Sequence, residues 1–387
     1  MAFYYKLGNL PERKHTTFYK EDGKSLYREE LVSALGFSGH YSNKYHLYMP
    51  SRISKVEEAN LKDKIGWEDA PIEYYHFDTD KKKTPGNFIT ARDEYLTNPH
   101  CKISVAHITE NTENFFRNAY AHEIVFIHFG TGEFRSDYGR QTIGPGDQIV
   151  IPKGTIYQLK FNDLSKAKIL VFESDTPYEI PKTYRNPYGQ LEEHAPYCER
   201  DLRPPEYMKP VDQLGDFTLI AKMGDRYFKY TLDHHPFDVV GWDGYLFPFV
   251  FNWKSFNPKV GKIHLPPPVH IVFTTKQFVY CNFCPRPFDF DDNAIPAPYA
   301  HYNIDSDEVL YYVEGDFMSR KGIKEGSITL HPTGLTHAPQ PGKTEEAIGK
   351  KATKEFAIMV DTFSPLYVTR NVKETMYKGY SQSWLEK

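Results

Sequence analysis

Cysteine is scarce in this chain: four in 387 residues. That is too few for a disulfide framework and suits a reducing cytoplasm. Cys281-Asn-Phe-Cys284 has the spacing of half a zinc site. No second pair completes it, and residues three apart on a strand face opposite sides. Long apolar runs are also lacking, with none near the ~20 residues that cross a bilayer. The opening Met-Ala-Phe-Tyr-Tyr-Lys has no apolar core of a signal peptide. These absences speak against a membrane role or export, and a cytoplasmic protein is expected. Nor does one sign of charge dominate. The net charge is −4 with both signs spread along the chain, so no basic stripe calls for nucleic acid. Aromatic residues and proline are plentiful instead, with 29 Tyr, 27 Phe and 28 Pro, a composition that favours sheets and turns over helical bundles. The length suffices for two domains with a sizeable core. The expected class is all-β dominated, with few short helices.

One stretch carries chemistry. His301-Tyr-Asn-Ile-Asp-Ser-Asp-Glu308 leads to Gly315, and Gly326-x5-Pro332-x-Gly334-x2-His337 follows. Two imidazoles and one carboxylate on short strands joined by glycine turns are the ligands of a facial triad, which leaves the other face of a ferrous ion open to dioxygen and substrate. With about 30 residues between acid and second imidazole, the two pieces read as the halves of a cupin metal site. The same punctuation occurs upstream without the ligands. Glu123 precedes Gly130 by the same interval, and Gly146-x5-Pro152-x-Gly154-x2-Tyr157 follows. Tyr157 stands in the place of His337, Phe116 in that of His301 and Asn118 in that of Asn303. This self-similarity predicts a bicupin of two double-stranded β-helix (jelly-roll) barrels, one metallated and one structural. His122 and His128 are the residues that would have to rescue a metal site in the first barrel.

On this reading residues 1–95 form an arm and edge strands, with helix-like patches at 26–35 and 54–61. Residues 96–175 are the ligand-free barrel and 176–255 a connecting segment, rich in Pro, Tyr and charge over 177–210. Residues 256–387 are the iron-binding barrel, with 342–354 as a solvated loop.

Beside the triad, His264 and His270 flank a proline-stiffened stretch, where an imidazole next to iron could take a phenolic proton. His331 lies six residues before His337. Tyr299 and Phe317 are candidates to line the pocket.

Taken with Pro298-Tyr299-Ala-His301-Tyr-Asn303, Leu330-His331-Pro-Thr-Gly-Leu-Thr-His337 and Pro236-Phe-Asp-Val-Val240-Gly-Trp242-Asp-Gly244, the chain resembles the homogentisate 1,2-dioxygenase family of tyrosine and phenylalanine breakdown. The resemblance covers most of the chain beyond about residue 95. It implies Fe(II) on His301, Glu308 and His337, and His264 as the catalytic acceptor of the ring hydroxyl proton. It further implies a substrate pocket including His331, His337, Tyr299 and Phe317, and conversion of homogentisate and dioxygen to maleylacetoacetate. It also implies a homo-oligomer, trimer or hexamer. The family spaces its first histidine and glutamate one residue closer, and has a substrate-contacting tyrosine where Phe317 stands. Phe317 cannot donate a hydrogen bond, so whether Tyr311 or Tyr312 substitutes is open. Two other readings remain: another cupin aromatic-ring dioxygenase (gentisate-like or hydroxyanthranilate-like substrate), and a non-catalytic, ligand-binding bicupin.

Overall fold

The computed structural model describes residues 3–33, 41–62, 70–262, 265, 267–292, 294–298, 300–317 and 320–385. Among them, strands dominate and lie in four sheets. An eight-stranded sheet runs through the middle, built largely from Asp147–Ile151, His122–Phe129, Lys168–Ser174, Cys101–His107 and Arg92–Thr97. Strands His122–Phe129 and Lys168–Ser174 are buried along almost their whole length, because the sheet is covered on both faces. Side chains alternate across a strand. Val125 and Ile127 therefore enter one core with Phe116, Phe134, Tyr157 and Leu159 of a seven-stranded sheet. Ile124 and Phe126 enter another with Val309, Tyr311, Ile328 and Ile358 of a six-stranded sheet. The first barrel is the space between the eight- and seven-stranded sheets.

The six-stranded sheet carries Phe278–Phe283, Phe356–Thr362, Asp307–Glu314, Ser327–His331 and Tyr75–Asp78. Opposite it, among the described residues, the second wall is reduced to the isolated bridges His301↔His337 and Pro287↔Ala352. The repeat seen in the sequence reappears in the backbone. Gly130, Gly146 and Gly154 have φ of +98°, +90° and +89°, and Gly315, Gly326 and Gly334 have +105°, +80° and +76°. Only glycine enters that region without cost, which is why the punctuation persists where the ligands do not.

Three local expectations need correction. Within the patches at 26–35 and 54–61 the described residues form strands, Arg28–Ser33 and Ile53–Lys62, since pairing with Tyr41–His46 and Arg226–His234 overrides local helix propensity; 34 and 35 lie outside the described residues. Residues 176–255 are more than a connector. They supply Leu202–Arg203, Leu214–Met223, Arg226–His234 and Phe249–Asn252 to the two first-barrel sheets, covering edges that would otherwise be open. The loop at 342–354 contains a short helix, Lys343–Ala347.

A fourth sheet joins the amino-terminal strands Tyr5–Gly8, Arg28–Ser33 and Tyr41–His46 to Val239–Gly244. Its charged groups are buried in pairs. Lys44 pairs with Asp137, while His46 contacts Asp238 at 2.7 Å and Glu30 at 3.0 Å. Burial disfavours a charged His46, but the bonds to Asp238 and Glu30 prevail and raise it from 6.5 to about 9. A raised pKa gives stability that is whole below pH 6.5 and is lost as pH climbs to about 9, here roughly 3 kcal/mol. Thermal denaturation at pH 6 and pH 9.5 is expected to show the loss, and His46→Gln to shrink the difference between the two pH values. An equal difference in both proteins would refute the assignment.

Candidate metal centre and its neighbours

Strand Asp307–Glu314 alternates, so Val309, Tyr311 and Val313 face the central sheet while Glu308, Leu310 and Tyr312 face the other way. Cross-strand register then sets Glu308 beside His331 on one side and Asp361 on the other. His301 and His337 approach from the opposite wall, pinned by a reciprocal backbone pair of 2.9 and 2.8 Å. The Pro332-Thr-Gly334 turn fixes that wall. The Gly334 N–H donates to Asn303 O at 2.8 Å, the Thr333 hydroxyl donates to the same oxygen at 3.1 Å, and the Thr333 N–H donates to Asp307 Oδ1 at 2.7 Å.

The result is one cluster in which ligand atoms of His301, Glu308 and His337 all lie within 4.8 Å of one another. His301 Nε2 is 3.7 Å from Glu308 Oε2, and His337 Nε2 is 3.3 Å from Glu308 Oε1. The donor set fits a divalent ion. His337 Nδ1 directs its proton to Leu335 O at 3.3 Å, leaving Nε2 as the lone-pair side, the usual arrangement around metal-bound histidine. That Nε2 is buried and has no hydrogen-bond partner; a metal ion would take its lone pair. Two imidazoles with one carboxylate on one side of the ion is the facial-triad pattern of non-haem iron.

Burial opposes charge on Glu308, yet the imidazoles of His301, His331 and His337 gathered around it outweigh burial and hold its pKa well below the usual range. His331 is pushed down to about 4 by burial, so it is neutral at pH 7. Its Nδ1–H donates to Glu308 Oε1 at 2.7 Å, and its Nε2 accepts from the Tyr380 hydroxyl at 3.3 Å. His331 thus orients the carboxylate from behind. Asp361 is pushed up to about 7 by burial and then by Glu308, and its Oδ1 is buried without a hydrogen-bond partner.

His264 and Tyr299 lie outside the described residues. His270 is buried and rests on the Phe283 ring at 4.5 Å. Phe317 packs edge-on against Tyr312 at 4.7 Å, within an apolar cluster that includes Ala357, Leu310 and Phe283. Of the two tyrosines considered as substitutes for its missing hydroxyl, Tyr311 turns away and bonds His128 Nδ1 at 2.5 Å. Tyr312 stays on the triad's face of the sheet, 3.2 Å from Thr329 Oγ1. Sequence reading missed Asp361 and Tyr380, since they come from segments beyond the motif with no motif of their own.

The corresponding positions of the first barrel hold a different arrangement. Glu123 receives Arg92 Nη1 at 2.6 Å and the Tyr157 hydroxyl at 2.7 Å, and Arg92 Nη2 reaches Tyr157 Oη at 3.1 Å. The guanidinium lies over Phe116, 5.2 Å from the ring centre. Every residue standing in a ligand position therefore touches Arg92, and an internal cation occupies the place of the ion. Glu173, bonded by Lys222 at 2.7 Å and Asn118 at 2.9 Å, completes the network. Neither histidine rescues a metal site there. His122 Nδ1 accepts from Lys153 N–H at 3.2 Å, and His128 points to Tyr311 and Glu325.

The family model Homogentisate 1,2-dioxygenase N-terminal matches residues 86–253. A Saccharolobus solfataricus protein with a provisional dioxygenase name is 40% identical over 99% of both chains. The chain belongs to the homogentisate 1,2-dioxygenase family. A homogentisate 1,2-dioxygenase of Bradyrhizobium diazoefficiens is 26% identical over 70% of this chain and 63% of its own length. Among solved structures, a cupin 2 conserved barrel domain protein from Leptotrichia buccalis covers 75% of this chain and 96% of its own, with 11% identity and a TM-score of 0.36. The family match of 86–253 takes in the Arg92 network but stops short of the triad.

Proposed function

We propose that this protein is an iron(II)-dependent, extradiol-type ring-cleaving dioxygenase that acts on homogentisate and yields maleylacetoacetate, in tyrosine and phenylalanine catabolism. The observation that carries the reading is the convergence of His301, Glu308 and His337 within 4.8 Å in one barrel, while the same positions of the other hold an arginine. Bound ferrous iron supplies a path for electron density from an electron-rich ring to dioxygen. The protein supplies the rest. Glu308 stays anionic, His331 fixes its orientation, and the Phe317–Tyr312 wall keeps water from the reacting groups, which strengthens every polar interaction there. His264 takes the ring hydroxyl proton in this reading. His264→Phe is then expected to keep its iron and its fold but lose about 10²–10⁴-fold in turnover. Near-normal turnover in that variant, with His270→Phe inactive, would move the role to His270.

The decisive experiment is oxygen uptake after anaerobic loading with ferrous iron, comparing homogentisate with gentisate. Homogentisate is expected to consume one dioxygen per ring opened. Cleavage of gentisate alone would leave the iron chemistry standing and replace the substrate. Failure to hold iron would favour a non-catalytic bicupin. We also read the enzyme as a homo-oligomer, trimer or hexamer, checked by sedimentation velocity. Its place in the cytoplasm is likewise our reading. Among the described residues no helix is long and apolar enough to cross a membrane.

A further inference from the structure

Beside the Arg92 network, the first barrel holds a cavity of about 160 Å³. An engineered cavity of about 150 Å³ takes a benzene molecule, so the space admits a single ring. Strand alternation supplies its polar wall. On Cys101–His107, Ile103 and Val105 face the six-stranded sheet, which turns Ser104 inward with Ala106. Glu94 stands opposite Ser104 in the register. Lys222 and Tyr227 come from the facing seven-stranded sheet, and Leu61 from its edge strand.

The charges lining the cavity are already answered. Glu173 receives Lys222 Nζ at 2.7 and 3.0 Å and lies 3.6 Å from Arg92 Nη1. Arg92 also holds Glu123 at 2.6 Å, and Glu94 lies 3.7 Å from Lys102 Nζ. An entering ion would shed its hydration and meet no charge in want of a partner. Two of the hydroxyls are also engaged. Thr84 donates to Asp93 Oδ1 at 2.7 Å, and Thr90 Oγ1 accepts from the Asn87 N–H at 3.1 Å. Ser104 differs. It is 3% exposed and lines the cavity, yet among the described residues its hydroxyl makes no hydrogen bond. A buried hydroxyl in that state is answered by whatever fills the space beside it. The rest of the wall, Leu61, Ile89 and the Tyr227 ring, gives water little to bond.

We propose that the first barrel carries a second ligand site, separate from the metal centre, that takes a neutral hydroxylated ring of about the size of phenol. Such a hydroxyl both donates and accepts, so it can donate to Glu94 and accept from Ser104 across the same pair of strands. The ring then lies against Leu61, Ile89 and Tyr227, and removing it from water supplies the driving force while the hydroxyl sets its orientation. Water alone satisfies Ser104 but leaves the apolar wall wet, and a polyol serves the polar wall but gains nothing from the other. The site needs neither iron nor turnover, so it stands apart from the dioxygenase reading.

The test uses the whole metal-free chain, titrated by calorimetry with phenol, benzoate, benzylammonium and myo-inositol, together with a crystal structure of the same protein soaked in phenol. Phenol is expected to bind once per chain in the first barrel, ahead of both ions and the polyol. Ser104→Ala is expected to weaken it about two- to tenfold, the worth of one neutral hydrogen bond, and Leu61→Trp, which fills the cavity from its edge, to abolish it. Without ligand, Ser104→Ala should keep the wild-type melting temperature, because its hydroxyl has no partner to lose. If Leu61→Trp does not fold, Ser104→Ala and the soaked crystal still decide. A cavity that holds only water at saturating phenol would overturn the proposal, as would unchanged phenol binding in both variants. Benzoate or benzylammonium binding there as tightly as phenol, or myo-inositol binding tighter, would refute the ligand class. Absence of turnover with homogentisate while phenol binds in the first barrel would count against the dioxygenase reading alone.

Discussion

Arg92→Leu is expected to destabilise the protein by about 3–5 kcal/mol, the usual cost of removing one partner of a buried ion pair. Glu123 is 1% exposed, and two of its hydrogen bonds come from Arg92 and Tyr157. Without the guanidinium the carboxylate is left in an apolar barrel with a phenol as its remaining close donor, and Glu173 loses a neighbouring charge at 3.6 Å. Leucine fills part of the volume but answers neither acid. Chemical denaturation of the metal-free protein measures the loss. Adding Glu123→Gln to Arg92→Leu is expected to recover part of it, because a neutral amide tolerates burial better than an unpaired carboxylate. A loss under about 1 kcal/mol, in the range of surface pairs, would show that the network is wetter or looser than its geometry implies. Iron content should be the same in Arg92→Leu as in wild type, since the replaced cation lies in the other barrel.

The second large effect concerns the triad. Wild type is expected to bind one ferrous ion per chain, and Glu308→Ala and the double variant His301→Ala/His337→Ala to bind almost none, with turnover falling below detection. The anion matters most. Glu308 lies at the junction of contacts with His301, His331 and His337, and its removal takes away the anionic member of the set, which lies 3.7 Å from His301 Nε2 and 3.3 Å from His337 Nε2. His331→Ala should be milder, weakening metal affinity roughly 10–100-fold, as loss of an outer partner commonly does. Elemental analysis decides these points. About two metals per chain, or iron retained by the double variant, would refute the assignment of the site to this one barrel.

The two halves differ in how they were encoded. Glycine and proline act through their own backbone torsions, so Gly334 or Pro332 is legible wherever it stands, and the spacing His301, Glu308, His337 could be read before any pairing was known. The same holds for the missing ligands at Phe116 and Tyr157. The identity of the group that answers Glu123 was not legible. Arg92 precedes Glu123 by 31 positions and reaches it only because the strand Arg92–Thr97 joins the same sheet. A buried acid demands a cation, but nothing local says which one. The sequence motifs could not show that Asp361 neighbours Glu308, since cross-strand neighbours are chosen by pairing rather than by proximity in the chain. They could not bring Tyr380 to His331, nor make 176–255 part of the first barrel. Local sequence by itself determined the glycine and proline turns and the spacing of His301, Glu308 and His337. Tertiary structure alone decided which distant charges those elements bring together, because burial makes an unpaired charge costly and only the folded sheets determine where its partner comes from.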